Sequence, residues 1–131
     1  MAIITAPSMA DTVYQGPQGN LSVAEGWYQF NGGEKAGDTI ELLALPIGMR
    51  IYGVNAFGLK IYEVIRSIQV NKTILIPGVN QMSYSFNKYN IIKPFSTKVP
   101  GEKLTVTIGS GGPVGVSGLL TISLFYTAVG Y

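Results

Sequence analysis

Side chains that could do acid–base or metal chemistry are few in this sequence. Glu34, Asp38 and Glu41 lie close together around a predicted turn, and their carboxylates are ligands that suit a hard cation. A calcium site takes about six to eight oxygen ligands from a dedicated loop, and this spacing does not supply them. A glycosidase needs two carboxylates flanking a sugar cleft, and nothing places a second one opposite these. We therefore predict no metal site and no catalytic residues.

The sequence has neither cysteine nor histidine. It therefore offers no thiolate ligand, no cysteine nucleophile and no imidazole base. The glycine-rich segment 109–115 superficially resembles a phosphate-binding loop. Such a loop ends in Gly-Lys-Ser/Thr and leads into a helix, whereas here Pro113 and a further predicted strand follow. We expect no cofactor and no enzymatic activity.

Charge is sparse for a chain of 131 residues, which is long enough for one domain. Charged residues make up 12%, about half of the usual share, and hydrophobic residues make up 47%. Monomers seldom expose apolar patches beyond a few hundred Å². We therefore predict that the chain assembles with copies of itself or coats another protein. The net charge of +2 is too small to indicate a nucleic-acid partner.

Residues 104–131 carry no ionisable group except tyrosine, which raises the question of a membrane span. Glycines and Pro113 divide this segment into two short alternating pieces, whereas a transmembrane helix needs about 20 consecutive apolar residues. The segment therefore predicts two strands around a loop, and we expect no membrane association.

Alternation of apolar and polar residues with a period of two runs through most of the chain. It predicts strands at 21–30, 38–45, 49–57, 59–70, 73–76, 82–86, 104–108 and 116–127. Segment 59–70 also fits a helical stripe, but its β-branched content favours a strand. Pro94 and Pro100 predict that 87–101 is largely loop.

These strands predict an all-β protein with a single antiparallel β-sandwich or jelly-roll-like domain over residues 21–131. Residues 1–20 are predicted to form an extended N-terminal arm. The uncharged residues 1–10, with Ile3 and Ile4, are suited to adding a strand to a neighbour's sheet. Removing them is expected to leave the fold intact and to weaken partner attachment.

Aromatic residues are the remaining candidates for a binding surface. We predict that Trp27, Tyr28, Tyr84 and Phe86 contribute to a partner interface together with the two isoleucines of the arm. Exposed aromatic rings can also stack on sugar rings, so a carbohydrate- or host-surface-binding module is an alternative.

Two stretches, 23–30 and 36–53, resemble a pattern found in small structural proteins of tailed bacteriophages. The resemblance lies in Gly37-Asp38 before an apolar strand, in Leu45-Pro46-x-Gly48 before the next strand, and in the closing strand 104–108 with its glycine loop. Such proteins are capsid decoration (cement or head auxiliary) proteins and related virion components.

The resemblance implies a β-sandwich that forms small symmetric homo-oligomers, with a trimer favoured, on the outer face of the head. It implies the major capsid protein and the chain itself as partners. It also implies a place on the virion capsid surface after synthesis in the host cytoplasm. A tail or neck component is the alternative within the same class.

Overall fold

The computed structural model describes residues 3–11, 13, 20–30, 35, 37–59, 65–71, 73–76, 85–109 and 118–128, and for 65, 66, 85, 86 and 88 only the backbone. These residues form nine strands and one short 3₁₀ helix. The elements are β1 Ile3–Thr5, the 3₁₀ helix Pro7–Ala10, β2 Leu21–Gln29, β3 Thr39–Ala44, β4 Met49–Leu59, β5 Ile65–Val70, β6 Thr73–Ile76, β7 Ser85–Ser96, β8 Lys103–Ile108 and β9 Leu119–Ala128. The all-β prediction is confirmed.

The strands form two sheets packed face to face. The five-stranded sheet has the order β1-β3-β8-β5-β6, and the four-stranded sheet has the order β2-β9-β4-β7. All neighbours are antiparallel except β1 and β3, which are parallel. The pairing is nested in sequence: the first strand of the series pairs with the last, the second with the last but one, and so on inward. The pairs are β2–β9, β3–β8, β4–β7 and β5–β6. This is the jelly-roll arrangement, so the predicted sandwich is confirmed.

The core lies between the sheets and is built from alternate residues of each strand. In β9 the even-numbered positions point inward, and Leu120, Ile122 and Leu124 are completely buried. Facing them from the other sheet are side chains such as Ile40 and Val106, which are also completely buried. Because successive side chains of a strand point to opposite faces, each strand buries alternate residues and turns the others outward.

The residues expected to form an arm pack against the same chain in the part that is described. Ile3–Thr5 pairs in parallel with β3, and the 3₁₀ helix follows directly. Ala6 and Ser8 are buried. The amide N–H of Ala6 donates to the carbonyl of Glu41 at 2.9 Å. Ile3–Thr5 therefore extends the five-stranded sheet of its own molecule, and the 3₁₀ helix packs beside it. The arm boundary at residue 20 stays a prediction.

Ser8 joins the two sheets along one side of the sandwich. Its hydroxyl accepts the amide N–H of Trp27 in β2 at 3.0 Å. It also donates to the carbonyl of Leu42 in β3 at 2.5 Å. Leu42 is the extra residue of a bulge in β3, so its backbone has no partner across β8. The serine supplies the missing partner.

A second side-chain contact joins the sheets on the opposite side. The Asn90 side-chain amide, on β7, donates to the carbonyl of Leu75 at 2.7 Å, on β6. Since β6 and β7 are edge strands of different sheets, this bond closes that side of the sandwich.

The Leu-Pro-x-Gly motif forms the tight connection between β3 and β4. Gly48 has a φ of 91°, a conformation that glycine adopts without strain. The buried hydroxyl of Thr97 donates to the carbonyl of Pro46 at 2.7 Å and accepts the amide N–H of Met49 at 3.0 Å. These bonds fix the turn to the end of β7.

Two details of the strand prediction are wrong. β7 runs from Ser85 to Ser96, through much of the segment predicted as loop. It is an edge strand, and its register against β4 shifts between Ile91 and Phe95, which allows Pro94 to be accommodated without losing a ladder hydrogen bond. The predicted strand 59–70 is also divided, because Leu59 ends β4 and β5 begins at Ile65.

Candidate partner-binding face

The outward faces of the two sheets differ in chemistry. The five-stranded sheet presents mainly hydroxyl, amide and charged groups, from Thr39, Glu41, Ser67, Gln69, Lys103, Thr105 and Thr107. We call this the polar face. On it the Lys103 ammonium and the Glu41 carboxylate form an ion pair at 3.1 Å. Ile3 and Ile74 are exposed at its two edge strands.

The outward side of the four-stranded sheet carries large apolar and aromatic side chains instead. We call it the apolar face; it consists of Leu21, Val23 and Trp27 on β2, Phe125 on β9, Tyr52 and Phe57 on β4, and Tyr89 and Ile91 on β7. Ile91 is 78% exposed and Leu21 68% exposed, and both belong to a contiguous apolar surface of the kind that marks an interaction site.

Phe125 lies on β9, an inner strand of the four-stranded sheet, near one end of the apolar face. Its ring meets the Tyr89 ring edge-on, with 5.5 Å between centroids and 73° between planes. The absence of a side chain at Gly53 makes this possible, because a Cβ there would lie 2.7 Å from the Tyr89 hydroxyl. Tyr89 can therefore lean across β4 towards β9.

Trp27 and Phe57 define the other end of the face. Both pair in register with Thr121, one from each side of β9. Their strands are therefore two spacings apart, about 10 Å. The hydrogen bond from the Trp27 amide N–H to the Ser8 hydroxyl holds this part of the edge strand β2 in place. Thr121 lies on the sheet surface between Trp27 and Phe57.

Charge is almost absent from this surface. Among the outward positions of β2, β9 and β4, only Glu25 and Arg50 are charged. The Ser123 hydroxyl approaches the Glu25 carboxylate at 3.4 Å, and the Arg50 guanidinium lies 6.0 Å from the centre of the Tyr52 ring. Lys93 is exposed farther along, within the bulge of the edge strand β7. A surface of this kind is suited to contact with an apolar protein surface.

The residues predicted from sequence fall into different environments. Trp27 lies on the apolar face, whereas the neighbouring Tyr28 is buried in the core, where its ring packs edge-on against Phe30 at 5.1 Å. Ile3 is 70% exposed, and Ile4 packs partly against the core. Tyr84 lies outside the described residues. Phe86 pairs with Gly58 in the backbone register, and its side chain is outside the description.

The sequence prediction missed most of the apolar face. The prolines that follow Tyr89 and Ile91 predict a loop for both residues. Phe57 ends the predicted strand 49–57, and the pattern does not indicate which face its side chain occupies. The short alternation Lys88-Tyr89-Asn90-Ile91 is the signal that could find Tyr89 and Ile91.

The acidic residues considered as metal ligands have other partners. An Asp38 carboxylate oxygen accepts the amide N–H of Lys35 at 3.0 Å, and Glu41 forms the ion pair of the polar face. Glu34 lies outside the described residues. In the described ranges, no three acidic, histidine or cysteine residues come together as a possible metal site. In the same ranges, no helix has the length and apolar character needed to span a membrane.

Comparison with solved structures relates the whole chain to components of bacteriophage capsids. A chain of the capsid of Ralstonia phage GP4 superposes with a TM-score of 0.70 at 12% identity, over 98% of this chain and 99% of that one. A chain of the cyanophage Pam1 capsid asymmetric unit gives a TM-score of 0.66 at 13% identity, over 91% and 95%. The chain shares their fold. A chain of the Helicobacter pylori bacteriophage KHP30 capsid gives 0.50 at 13% identity, over 88% and 97%.

No protein-family model and no curated protein sequence matches the chain. At 12–13% identity, the structural similarity is in the path of the backbone rather than in particular side chains. The coverage of both chains shows that the similarity extends over the complete length of the matched capsid components, which are therefore about as short as this chain.

Proposed function

We propose that the chain is a structural, non-enzymatic protein of a tailed-bacteriophage virion, and specifically a decoration protein that binds the outer face of the assembled head. The observation that carries the proposal is the near-complete, end-to-end superposition on a phage capsid chain of the same length, with a TM-score of 0.70. The phage-like motifs of the sequence, Gly37-Asp38 and Leu45-Pro46-x-Gly48, lie at the start of β3 and between β3 and β4.

The mechanism is thermodynamic. A protein that binds the closed lattice of major capsid protein, and not its dissociated subunits, stabilises the lattice by mass action. Symmetric clustering of several copies multiplies each weak contact through avidity. The apolar face supplies a surface that gains free energy when it is covered. Ile3, Ile4 and Trp27 remain proposed partner residues; the resemblance favours a trimer.

The proposal is tested with shells assembled from the major capsid protein of the phage that encodes this chain. We expect the purified protein to cosediment with shells to a fixed ratio and to raise the temperature at which they dissociate. We expect no binding to unassembled subunits. Attachment to tails or necks, or equal binding to free subunits, would contradict the decoration role.

A second candidate function is carbohydrate binding, favoured by the placement of Trp27 and Phe57 on either side of Thr121. Two aromatic side chains at this separation suit stacking on neighbouring sugar rings, with Glu25 and Asn55 in the next row as hydrogen-bonding groups. Binding to a glycan array that is lost in Trp27→Ala and retained in Ile91→Ala would favour this function.

A further inference from the structure

We propose that two copies of this chain associate through their apolar faces around a two-fold axis that passes over Phe125. The inference deepens the proposed function and rests on it, because it identifies the surface through which the decoration protein contacts itself.

The register of the four-stranded sheet places the two charges symmetrically. Glu25 pairs with Ser123 on one side of β9, and Arg50 pairs with Thr127 on the other side. Phe125 lies midway between those two β9 residues. The line from the acidic position to the basic position therefore crosses the sheet diagonally and passes over the phenylalanine.

A two-fold axis in the plane of the face, through Phe125 and perpendicular to that line, exchanges the two charged positions. In the resulting pair, Glu25 of each copy faces Arg50 of the other, and the contact occurs twice. The same operation brings the two Phe125 rings together. Each ring already packs against its own Tyr89, so an aromatic cluster forms at the axis.

The charges select a second copy over an unrelated apolar partner. Neither Glu25 nor Arg50 forms an ion pair with another described residue, whereas Glu41 and Lys103 on the polar face already pair within the chain. An uncharged partner would bury one acid and one base without compensation, which is costly. A second copy compensates both, because opposite charges occupy positions that the axis interchanges.

The diagonal direction of the axis also determines how much of the two apolar faces overlaps, and hence the affinity of the contact. The strands of the two copies cross at a steep angle, as in orthogonal sheet packing, so the overlapping area is small. We therefore expect dissociation in the micromolar range. On a shell, a contact of this strength becomes effective through avidity.

Charge reversal tests the arrangement. The single variants Glu25→Arg and Arg50→Glu place like charges opposite one another and are expected to weaken self-association at least about tenfold in sedimentation equilibrium. The double variant Glu25→Arg/Arg50→Glu restores opposite pairing and is expected to return to within about threefold of the unchanged protein. Circular dichroism checks that all three fold.

Glu41→Lys and Lys103→Glu are matched controls, since they change the net charge by the same amounts on the polar face. We expect them to leave self-association unchanged. Equal weakening by the controls, or a double variant no better than the singles, would overturn the proposal.

Mass provides an independent check, because a two-fold contact requires an even number of copies. We expect a species of twice the 14.0 kDa chain mass, or a hexamer if a trimer contact is also present. A monomer at millimolar concentration, or a trimer with no even species, would overturn the proposal. Even assemblies that do not bind shells would refute the decoration role while leaving the two-fold contact intact.

Discussion

The Ser8 hydroxyl illustrates how a single side chain can hold two sheets together. It bonds a β2 amide and a β3 carbonyl that the strand ladders leave without a partner at this edge and bulge. Ser8→Ala removes both bonds and leaves the carbonyl of Leu42 buried and unpaired. We expect the free energy of unfolding to fall by about 2 kcal/mol in urea denaturation.

Ser22→Ala is the control for this substitution. The Ser22 hydroxyl makes one long, exposed bond to the carbonyl of Asn20 at 3.4 Å. We expect a change within about 0.5 kcal/mol. A loss for Ser8→Ala no larger than the control value would show that the sheets do not depend on this hydroxyl.

Two glycines in the four-stranded sheet are expected to differ in how well they tolerate alanine. A Cβ at Gly26 would lie 2.8 Å from the Leu42 Cβ and 3.3 Å from its carbonyl oxygen, so the two sheets would have to separate. A Cβ at Gly53 would meet the tip of Tyr89, which can rotate away. We expect Gly26→Ala to cost roughly 1–3 kcal/mol and Gly53→Ala less than about 1 kcal/mol, measured by thermal unfolding.

Gly53→Ala also displaces the Tyr89 ring from its contact with Phe125, because the added Cβ would occupy the place of the Tyr89 hydroxyl. Similar losses of stability for both alanine variants would contradict the close approach of β2 and β3 at Gly26.

For single residues, the sequence identifies candidate aromatic side chains but does not show which of them point to the outer face. Alternation shows that Trp27 and Tyr28 point to opposite faces, but the identities of these two aromatics do not show which one is outside. The choice follows from Gly26, which must lie on the inner face because it packs against Leu42 in the other sheet. That contact joins residues distant in sequence, and no local pattern encodes it.

The N-terminal segment is an element whose use differs from the sequence expectation. Its uncharged, strand-like character predicted an extended segment, and Ile3–Thr5 is extended. The pairing with β3 and the burial of Ala6 and Ser8 depend on long-range contacts that were not predictable.

We therefore revise the expected effect of deleting residues 1–10. The deletion removes β1, exposes the edge of β3 and breaks the bonds of Ser8. We expect a loss of roughly 3–5 kcal/mol and a markedly lower melting temperature, observed by calorimetry. An unchanged melting temperature together with weaker shell binding would show that residues 1–10 act as an arm that contacts a partner and do not stabilise their own domain.

β7 shows why proline limits strand prediction. A proline within a strand indicates a stop when the strand is central, because it cannot donate to the ladder. At an edge, or in a bulge, the same residue is compatible with a strand, and Pro94 occupies both. Whether a strand lies at an edge depends on the order of strands in the sheet, which the local sequence does not contain.

The whole molecule combines a polar face and an apolar face on one small sandwich. The low charge content predicted an exposed apolar surface, and the structure places it on the four-stranded sheet. The location was not predictable, because the face combines residues from four strands that are distant in sequence.

Ile91→Lys tests the role of the apolar face as a whole. The side chain is 78% exposed, so the fold should tolerate the change, with a melting temperature within about 2 °C of the unchanged protein. We expect higher solubility and weaker shell binding, measured by cosedimentation, because a lysine would be desolvated in the contact between copies, and losing that contact removes the avidity of shell binding.

Thr105→Lys on the polar face serves for comparison. We expect similar solubility gains and unchanged shell binding. If Thr105→Lys abolishes cosedimentation while Ile91→Lys does not, attachment to the shell depends on the polar face and not on self-association through the apolar face.

The position of β9 has a consequence during synthesis. This strand lies between β2 and β4, so the four-stranded sheet cannot form until residues 119–128 have left the ribosome. Leu21, Trp27 and Phe57 emerge long before the strand that aligns them. The apolar face therefore exists only in the folded chain, and any contact between copies that depends on its geometry can form only after synthesis.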